Sequence, residues 1–316
     1  MRRVASLVAL VALAGCGGLP QSAPALATQA DRAPSSMARG AASGSLLYVS
    51  DLRDWDVHVY SFPTLKAVGK IAGLYQPQGL CGDAAGDVWV VNTQSNTIVE
   101  FAHGGTSPIA TLADPVGYPL GCAVDPATGN LAVTDLYDVS GAGDVLVFKH
   151  AAGTPSVYAN GSIADFYFAG YDAKSNLFVD GITKEHAFRL AELPKSGKAL
   201  SLLAVSGGTI YFPGTVAWSG SSLVLGDQKC KNKAASCLYE LSLAGKTAKI
   251  TGTTPLGGAC DVAEAWVGAS QVAGGDYEGG CGGKRGGAEV WKFPGGGSPT
   301  AHATVLGQPV GAVVSS

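Results

Sequence analysis

Apolar residues along this chain arrive in short bursts, alternate with polar ones inside many of them, and stop at Gly, Asn, Asp or Pro. One stretch shows the pattern in full. Gly79-Leu80-Cys81-Gly82-Asp83 is followed by a turn at Ala84-Ala85-Gly86-Asp87. Val88-Trp89-Val90-Val91 then ends at Asn92, Thr97-Ile98-Val99-Glu100-Phe101 runs to the turn His103-Gly104-Gly105, and Pro108-Ile109-Ala110-Thr111-Leu112 closes the unit. Alternation with period two, bounded by turn formers, predicts short β-strands, because successive side chains on a strand point to opposite faces. The next stretch repeats it as Gly121-Cys122-Ala123-Val124-Asp125, Asn130-Leu131-Ala132-Val133-Thr134-Asp135 and Asp144-Val145-Leu146-Val147-Phe148. Weaker copies run through Leu177-Phe178-Val179-Asp180, Ser222-Leu223-Val224-Leu225-Gly226-Asp227 and Leu238-Tyr239-Glu240-Leu241. The last copy is read as Ala265-Trp266-Val267-Gly268 with Glu289-Val290-Trp291-Lys292-Phe293.

Each copy opens on a glycine: Gly79, Gly121, Gly170, Gly214 and Gly258, spaced 42, 49, 44 and 44 residues apart. A period of this size filled with short strands is the signature of a propeller blade. The stretch from Leu46 to Gly73 lacks the glycine strand, and Gln308-Pro309-Val310-Gly311-Ala312-Val313-Val314 supplies one. The expected fold is therefore all-β, a six-bladed β-propeller closed by a C-terminal strand that completes the first blade. Endings such as Tyr48-Val49-Ser50-Asp51 and Ala132-Val133-Thr134-Asp135, and turns such as Asp125-Pro126-Ala127-Thr128-Gly129-Asn130 and Asp172-Ala173-Lys174-Ser175-Asn176, carry a resemblance. The chain resembles the six-bladed group that includes NHL-repeat propellers and, more distantly, the gluconolactonase-like lactonases. That resemblance covers the chain after its first 44 residues and lies in blade grammar, which many functions share.

The N-terminus changes the picture of where the protein works. Arg2 and Arg3 precede an apolar run over residues 4–14, too short for a membrane span and right for a signal peptide. It ends in Leu13-Ala14-Gly15-Cys16, which resembles the bacterial lipobox; the resemblance implies a diacylglycerol thioether on Cys16 after removal of residues 1–15. Gly17 in place of an aspartate points to the outer membrane or cell surface of the bacterial envelope. Residues 16–44, rich in Ala, Ser, Pro and Gly, read as a flexible tether, and residues 45–316 as the propeller. The net charge of −3 becomes −5 without Arg2 and Arg3, which gives no electrostatic reason to expect nucleic acid. A monomer held at the membrane through Cys16 is the expected state.

Six further cysteines, an even number in an exported chain, predict three disulfides, though six allow 15 pairings. Locality favours Cys230–Cys237 and Cys260–Cys281, leaving Cys81–Cys122 between adjacent blades. No CxxC pair or interleaved His–Cys spacing suggests zinc.

Aromatic residues precede the opening glycines: Tyr75, Tyr118, Tyr167 with Phe168, and Tyr211 with Phe212. In a propeller these positions share one face around the central channel. The four tyrosines are candidate ligand contacts there, or wedges between blades. A second set ends the second strands: Asp51, Asn92, Asp135 and Asp227, with Gly181 and Ala269 at the other two places. Asp51, Asp135 and Asp227 are candidate ligands for calcium, the one cofactor considered, or side chains that close Asx turns. The lactonase resemblance implies one such aspartate, plus a glutamate and asparagines at first-strand starts. Those places hold Gln78, Leu120, Ala169, Pro213, Gly257 and Val310, so lactonase chemistry is not expected. Among the histidines, His186 beside Glu185 is the one near a second-to-third-strand connection, whereas His103 and His150 read as turn residues. No GxSxG, HExxH or phosphate-binding glycine loop occurs.

The leading expectation is a lipid-anchored binding or scaffold module of the cell envelope. It would engage a protein or glycan through the tyrosine-lined mouth and the cysteine-stapled loops near residues 228–237 and 274–285. The alternative is an exported hydrolase or lyase, calcium-dependent through Asp51, Asp135 and Asp227, with His186 as base.

Overall fold

The computed structural model of the protein describes residues 33–115, 117–138, 141–230, 235–277 and 286–316. Residues 33–316 belong to one compact unit. Its regular structure is nearly all strand. In chain order the strands are β1 (Ser36–Met37), β2 (Leu46–Asp51), β3 (Asp56–Ser61), β4 (Lys66–Ile71), β5 (Pro77–Gly82), β6 (Val88–Asn92), β7 (Thr97–Phe101) and β8 (Pro108–Ala113). They continue with β9 (Gly117–Val124), β10 (Leu131–Asp138), β11 (Val145–Phe148), β12 (Ser156–Tyr158), β13 (Asp165–Tyr171), β14 (Leu177–Ile182), β15 (Phe188–Leu193) and β16 (Ser201–Ser206). The remainder are β17 (Pro213–Ser219), β18 (Ser222–Lys229), β19 (Ala235–Ala244), β20 (Thr247–Leu256), β21 (Ala265–Val267), β22 (Gln271–Asp276), β23 (Gly286–Lys292), β24 (Ala301–Leu306) and β25 (Pro309–Ser315).

The expected strand-turn-strand units are present as antiparallel meanders. Sheets β5-β6-β7-β8, β9-β10-β11-β12 and β21-β22-β23-β24 have four strands each. The turns fold locally: Asp83 Oδ1 accepts the N–H groups of Ala85 and Asp87 (both 2.9 Å), and Asp172 Oδ1 those of Lys174 and Asn176 (both 2.8 Å). These are Asx turns, in which a short carboxylate substitutes for a backbone acceptor.

The core lies between sheets, and this explains why the bursts are apolar on both faces. In β2, Leu46 and Tyr48 join a cluster with Leu80, Val88, Val90 and Phe101 of the following sheet. The alternate residues Leu47 and Val49 pack with Ala273, Ala288, Val290 and Leu306 of the preceding one. The same division recurs along the chain. Leu223 and Leu225 face Phe168 and Phe178, while Val224 faces Val272 and Trp291. Sheet-on-sheet packing of this kind buries both faces of a strand, so only turns and outer edges stay polar.

First strands line up side by side. β25 packs against β5, β5 against β9, β9 against β13, β13 against β17, β17 against β21, and β21 against β25, so the series closes on itself. Closeness is enforced by glycine. A Cβ on Gly79 would collide with the Leu120 carbonyl oxygen, and one on Gly311 with that of Gln78. The closing strand pairs with β2 as anticipated, with Leu46↔Ser315, Tyr48↔Val313 and Asp51↔Pro309 in register.

Three expectations are corrected. Six separate sheets do not form: β16 and β20 pair in parallel (Ala204↔Thr247 to Ser206↔Lys249) and fuse β13–β16 with β17–β20 into one eight-stranded sheet. Two outer edges thereby satisfy each other's backbone groups. The last unit is shifted along the chain. Gly257-Gly258 form a turn, Ala265–Val267 is the first strand rather than the second, and Gln271–Asp276 is the second. Finally, within the stretch read as unstructured to residue 44, Ser36 and Met37 form β1 and pair with Lys70 and Gly69 on the outer edge of β4. The signal peptide and Cys16 lie outside the described residues.

Candidate functional site: the mouth of the strand ring

Residues in and just before the first strands converge on a cavity of about 260 Å³ at one end of the ring. Tyr167, Phe212 and Tyr277 supply aromatic walls, and Gln78, Gln228, Lys229 and Asp261 supply polar groups. Tyr167 meets Phe212 edge to face with ring centroids 5.3 Å apart, and the Lys229 ammonium lies 5.3 Å from the Phe212 centroid. Burial, followed by the nearby charges of Asp165 and Asp180, pushes the Tyr167 phenol up to about 12, so it remains a hydrogen-bond donor at neutral pH. Asp261 sits at φ 57°, a left-handed conformation costly for a side-chain-bearing residue.

Of the four sequence-expected tyrosines, the structure brings Tyr167 to this cavity. Tyr75 and Tyr211 are 39% and 45% exposed, and Tyr118 is half-buried. Tyr75 contacts Trp55 edge to face at 4.4 Å, and Tyr118 stacks on Tyr137 at 5.0 Å with the rings 19° from parallel. Tyr137 (48% exposed) and Trp55 were missed, because they lie outside the repeated position before a first strand, whereas Tyr277 belongs to the loop over residues 274–285 that the sequence offered for binding.

The side chains at second-strand ends close local turns, as Asp51 does for Arg53 and Asp54 and Asp227 does for Lys229, and they also hold segments distant in sequence. Asn92 Oδ1 accepts the N–H of Tyr75 (2.6 Å), and Asp227 accepts those of Tyr211 (3.0 Å), Phe212 (3.1 Å) and Lys229 (3.0 Å). Asp276 Oδ1 accepts from Cys260 N (3.0 Å), and Asp51 from Arg53, Asp54, Gly307 and Gln308. Each side chain thus clamps the incoming segment that carries the rim. Carboxylates so committed to backbone donors have few lone pairs left for an ion. Asp276, not Ala269, fills the last place; the endings Leu225-Gly226-Asp227 and Gly274-Gly275-Asp276 were the available signal. Asp135 differs. It is buried against Asp114 and Asp144, and desolvation, then those two charges, push its carboxyl up to about 9.

Deeper in the ring, Asp180 accepts from Phe168 N (2.8 Å) and Gly214 N (3.2 Å), and full burial raises its carboxyl well above the ordinary range. Glu264, not Gly257, stands at the start of the sixth repeat's first strand, β21. Its Oε2 accepts the N–H of Leu80 (2.8 Å) and lies 2.9 Å from where a Gly311 Cβ would sit. The glutamate uses space that glycine leaves open and reaches past Gly311 of the closing strand to β5. Burial, then the charge of Asp180, pushes its carboxyl up to about 8 against the one opposing hydrogen bond.

A pH dependence follows. An unfolded Glu264 releases its proton near 4.5, whereas the folded one holds it to about 8. Between these values the native state binds the extra proton, so stability falls as pH rises and levels off above 8. Glu264→Gln keeps an acceptor for Leu80 N–H and cannot ionise. At pH 5 the variant is expected to melt close to the wild type; by pH 8.5 it should be the more stable by a few kcal/mol, about 1.4 per pKa unit. Thermal melts across that range measure it, and parallel curves for the two proteins would disprove the assignment.

The histidines stay apart from the mouth cavity. His186 is exposed in a turn at φ 60° and is not among the cavity's lining residues. His103 Nδ1 lies 2.5 Å from Ser315 Oγ, and His150 Nδ1 2.8 Å from the Thr128 carbonyl. A larger groove of about 550 Å³, lined by residues 159–164 and 183–185 with Arg189, carries no aromatic wall. Cys81–Cys122 and Cys230–Cys237 are bonded as expected. Cys260 is also disulfide-bonded; Cys281 lies outside the described residues.

No protein-family model matches this sequence, and no curated protein matches it. Solved structures do. A chain of the nidogen/laminin complex superposes with a TM-score of 0.64 at 13% identity, over 86% of this chain and 99% of that one. The fold is a β-propeller. A protein of unknown function from Bacteroides caccae gives 0.62 at 13% identity over 86% and 99%, and Kuenenia stuttgartiensis hydrazine synthase 0.57 at 12% over 86% and 80%. At such identity the propeller architecture is what these chains share.

Proposed function

We propose that this propeller is a six-bladed, lipid-anchored binding module of the bacterial cell envelope, and that its mouth cavity holds a glycan. Six blades follow when the eight-stranded sheet is counted as two meanders joined at their outer strands, with β25 as the inner strand of the first. The blade grammar is that of NHL-type propellers. The leader ending in Leu13-Ala14-Gly15-Cys16 supports export and lipidation at Cys16.

The observation that carries the ligand class is the pairing of aromatic faces with hydrogen-bonding groups in one cavity. Tyr167, Phe212 and Tyr277 stand beside Gln78, Gln228, Lys229 and Asp261, and the exposed Tyr75, Tyr137 and Tyr211 provide further aromatic surface. A sugar ring offers C–H faces for stacking and hydroxyls at its edge, which matches that combination. Carboxylates that clamp the rim backbone hold those faces in place before a ligand arrives, which lowers the ordering cost of binding.

Glycan and unstructured-peptide arrays probed with the purified protein test this reading. Retention on glycans, with a loss of about tenfold or more in affinity for Tyr167→Ala, is the expected result; tenfold corresponds to about 1.4 kcal/mol. Capture by peptides alone, or equal glycan binding by a Tyr167→Ala/Phe212→Ala protein with an unchanged melting curve, would overturn it.

A further inference from the structure

Five side chains from neighbouring segments form one row along the rim. Trp55 lies in the turn between β2 and β3, Tyr75 just before β5, Gln94 between β6 and β7, Tyr118 in β9 and Tyr137 in β10. Trp55 meets Tyr75 edge to face at 4.4 Å, and Tyr118 stacks on Tyr137 at 5.0 Å. Gln94 joins the two pairs. Its backbone N–H donates to the Tyr75 carbonyl (3.1 Å), and its side-chain Nε2 donates to the Tyr118 hydroxyl (3.4 Å). Tyr75, Gln94 and Tyr137 are exposed, and Trp55 and Tyr118 are half-buried.

The backbone is strained to hold these rings. Trp55 sits at φ 59°, and Gln76, next to Tyr75, at φ 52°. A bulky side chain is costly in this left-handed region, and a turn that needed only the φ would be served by glycine, so the indole is kept for its ring. Tyr75 is fixed on both sides of its backbone: Asn92 Oδ1 takes its N–H (2.6 Å) while Gln94 holds its carbonyl. The row runs beside the mouth cavity. Leu52, in the same turn as Trp55, and Leu136, next to Tyr137, both line that cavity, so row and cavity share supporting segments.

We propose that this row is the track of an extended, uncharged glycan chain whose one end occupies the mouth cavity, an inference that rests on the glycan reading of that cavity. Aromatic rings and one amide make up the row, with no ammonium, guanidinium or carboxylate among them. A ribbon-like, β-linked chain presents C–H faces for stacking and hydroxyls for the amide along its whole length. A ligand no larger than the cavity would leave the row unused. Rings fixed before the chain arrives lower the cost of ordering it on the surface.

Titration calorimetry with cello-oligosaccharides and with N-acetylglucosamine oligomers, each from disaccharide to hexasaccharide, is the test. Wild-type affinity is expected to rise about tenfold or more with length in at least one series. Trp55→Gly, which removes the ring and suits the left-handed φ, and Tyr137→Ala should each flatten that rise. Val157→Ala, exposed on the outer strand β12, should keep it, and Tyr167→Ala should weaken binding at every length. Length-independent affinity in wild type, or an undiminished rise in both row variants, would overturn the track and leave the cavity reading standing. Absence of binding at every length in both series would overturn the two together. Capture of unstructured peptides instead, lost in Trp55→Gly, would assign the row to a protein partner and overturn the glycan track.

Discussion

Deletion of residues 309–316 is expected to abolish the single cooperative unfolding transition of the protein. β25 is the inner strand of the first sheet, and its side chains belong to three interfaces at once: Val313 packs with β2 and β5, Ala312 with the sheet of β22, and Val310 with Phe168 and Val216. Burying a valine is worth roughly 1.5–3 kcal/mol, and two are lost here along with the β2 ladder. Ser50 Oγ, which receives the Gly311 N–H (2.8 Å) and donates to the Gln78 carbonyl, loses one partner, and Glu264 loses the Val310 carbonyl that its N–H uses. Set against a total stability of about 5–15 kcal/mol, this is most of the margin. Differential scanning calorimetry and near-ultraviolet circular dichroism read the outcome. A truncated protein that melts as sharply as the full chain, within a few degrees of it, would show that the ring does not depend on this strand.

Replacing both cysteines of the Cys81–Cys122 pair by alanine should cost more than replacing both of Cys230–Cys237. The first bond spans 41 residues and the second 7, and the chain-entropy argument assigns about 4 and about 2.5 kcal/mol respectively. Location reinforces the order. Cys81 and Cys122 are buried on β5 and β9, inner strands of neighbouring sheets, within the cluster of Trp89, Ile98, Leu131 and Phe148. Cys230 and Cys237 staple one excursion from β18 to β19. A fall in Tm of about 10 °C is expected for the first double variant and roughly half that for the second. The reverse order under non-reducing conditions would mean that local geometry, not loop closure, governs both.

Much of the architecture was legible because strands buried on both faces leave unmistakable apolar runs. Val88-Trp89-Val90-Val91 and Leu131-Ala132-Val133 were located by period and turn chemistry alone, as was the partner of β2 at the far end of the chain. The last unit was misplaced for a physical reason: Gly257-Gly258 repeats the glycine spacing but forms a turn, while the true inner strand opens on Glu264. Sequence spacing cannot separate a glycine needed for close strand approach from one needed for a turn. Likewise Asp51, Asp135 and Asp227 look equivalent in the repeat. Only three dimensions show the first and last saturated with backbone N–H donors and the middle one facing two other carboxyls.

The sequence by itself determined that the chain builds short two-faced strands in repeating meanders, and that its C-terminal segment belongs with its N-terminal one. It determined the likeness among repeats that placed tyrosines before inner strands. Tertiary structure alone decided which aromatic groups share a cavity, where outer strands β16 and β20 fuse two sheets, and that Asp135 is buried against Asp114 and Asp144. The reason is range. Alternation and turns are set by neighbours a few residues apart, whereas a cavity or a carboxyl cluster depends on how segments tens of residues apart are rotated as the inner strands close the ring.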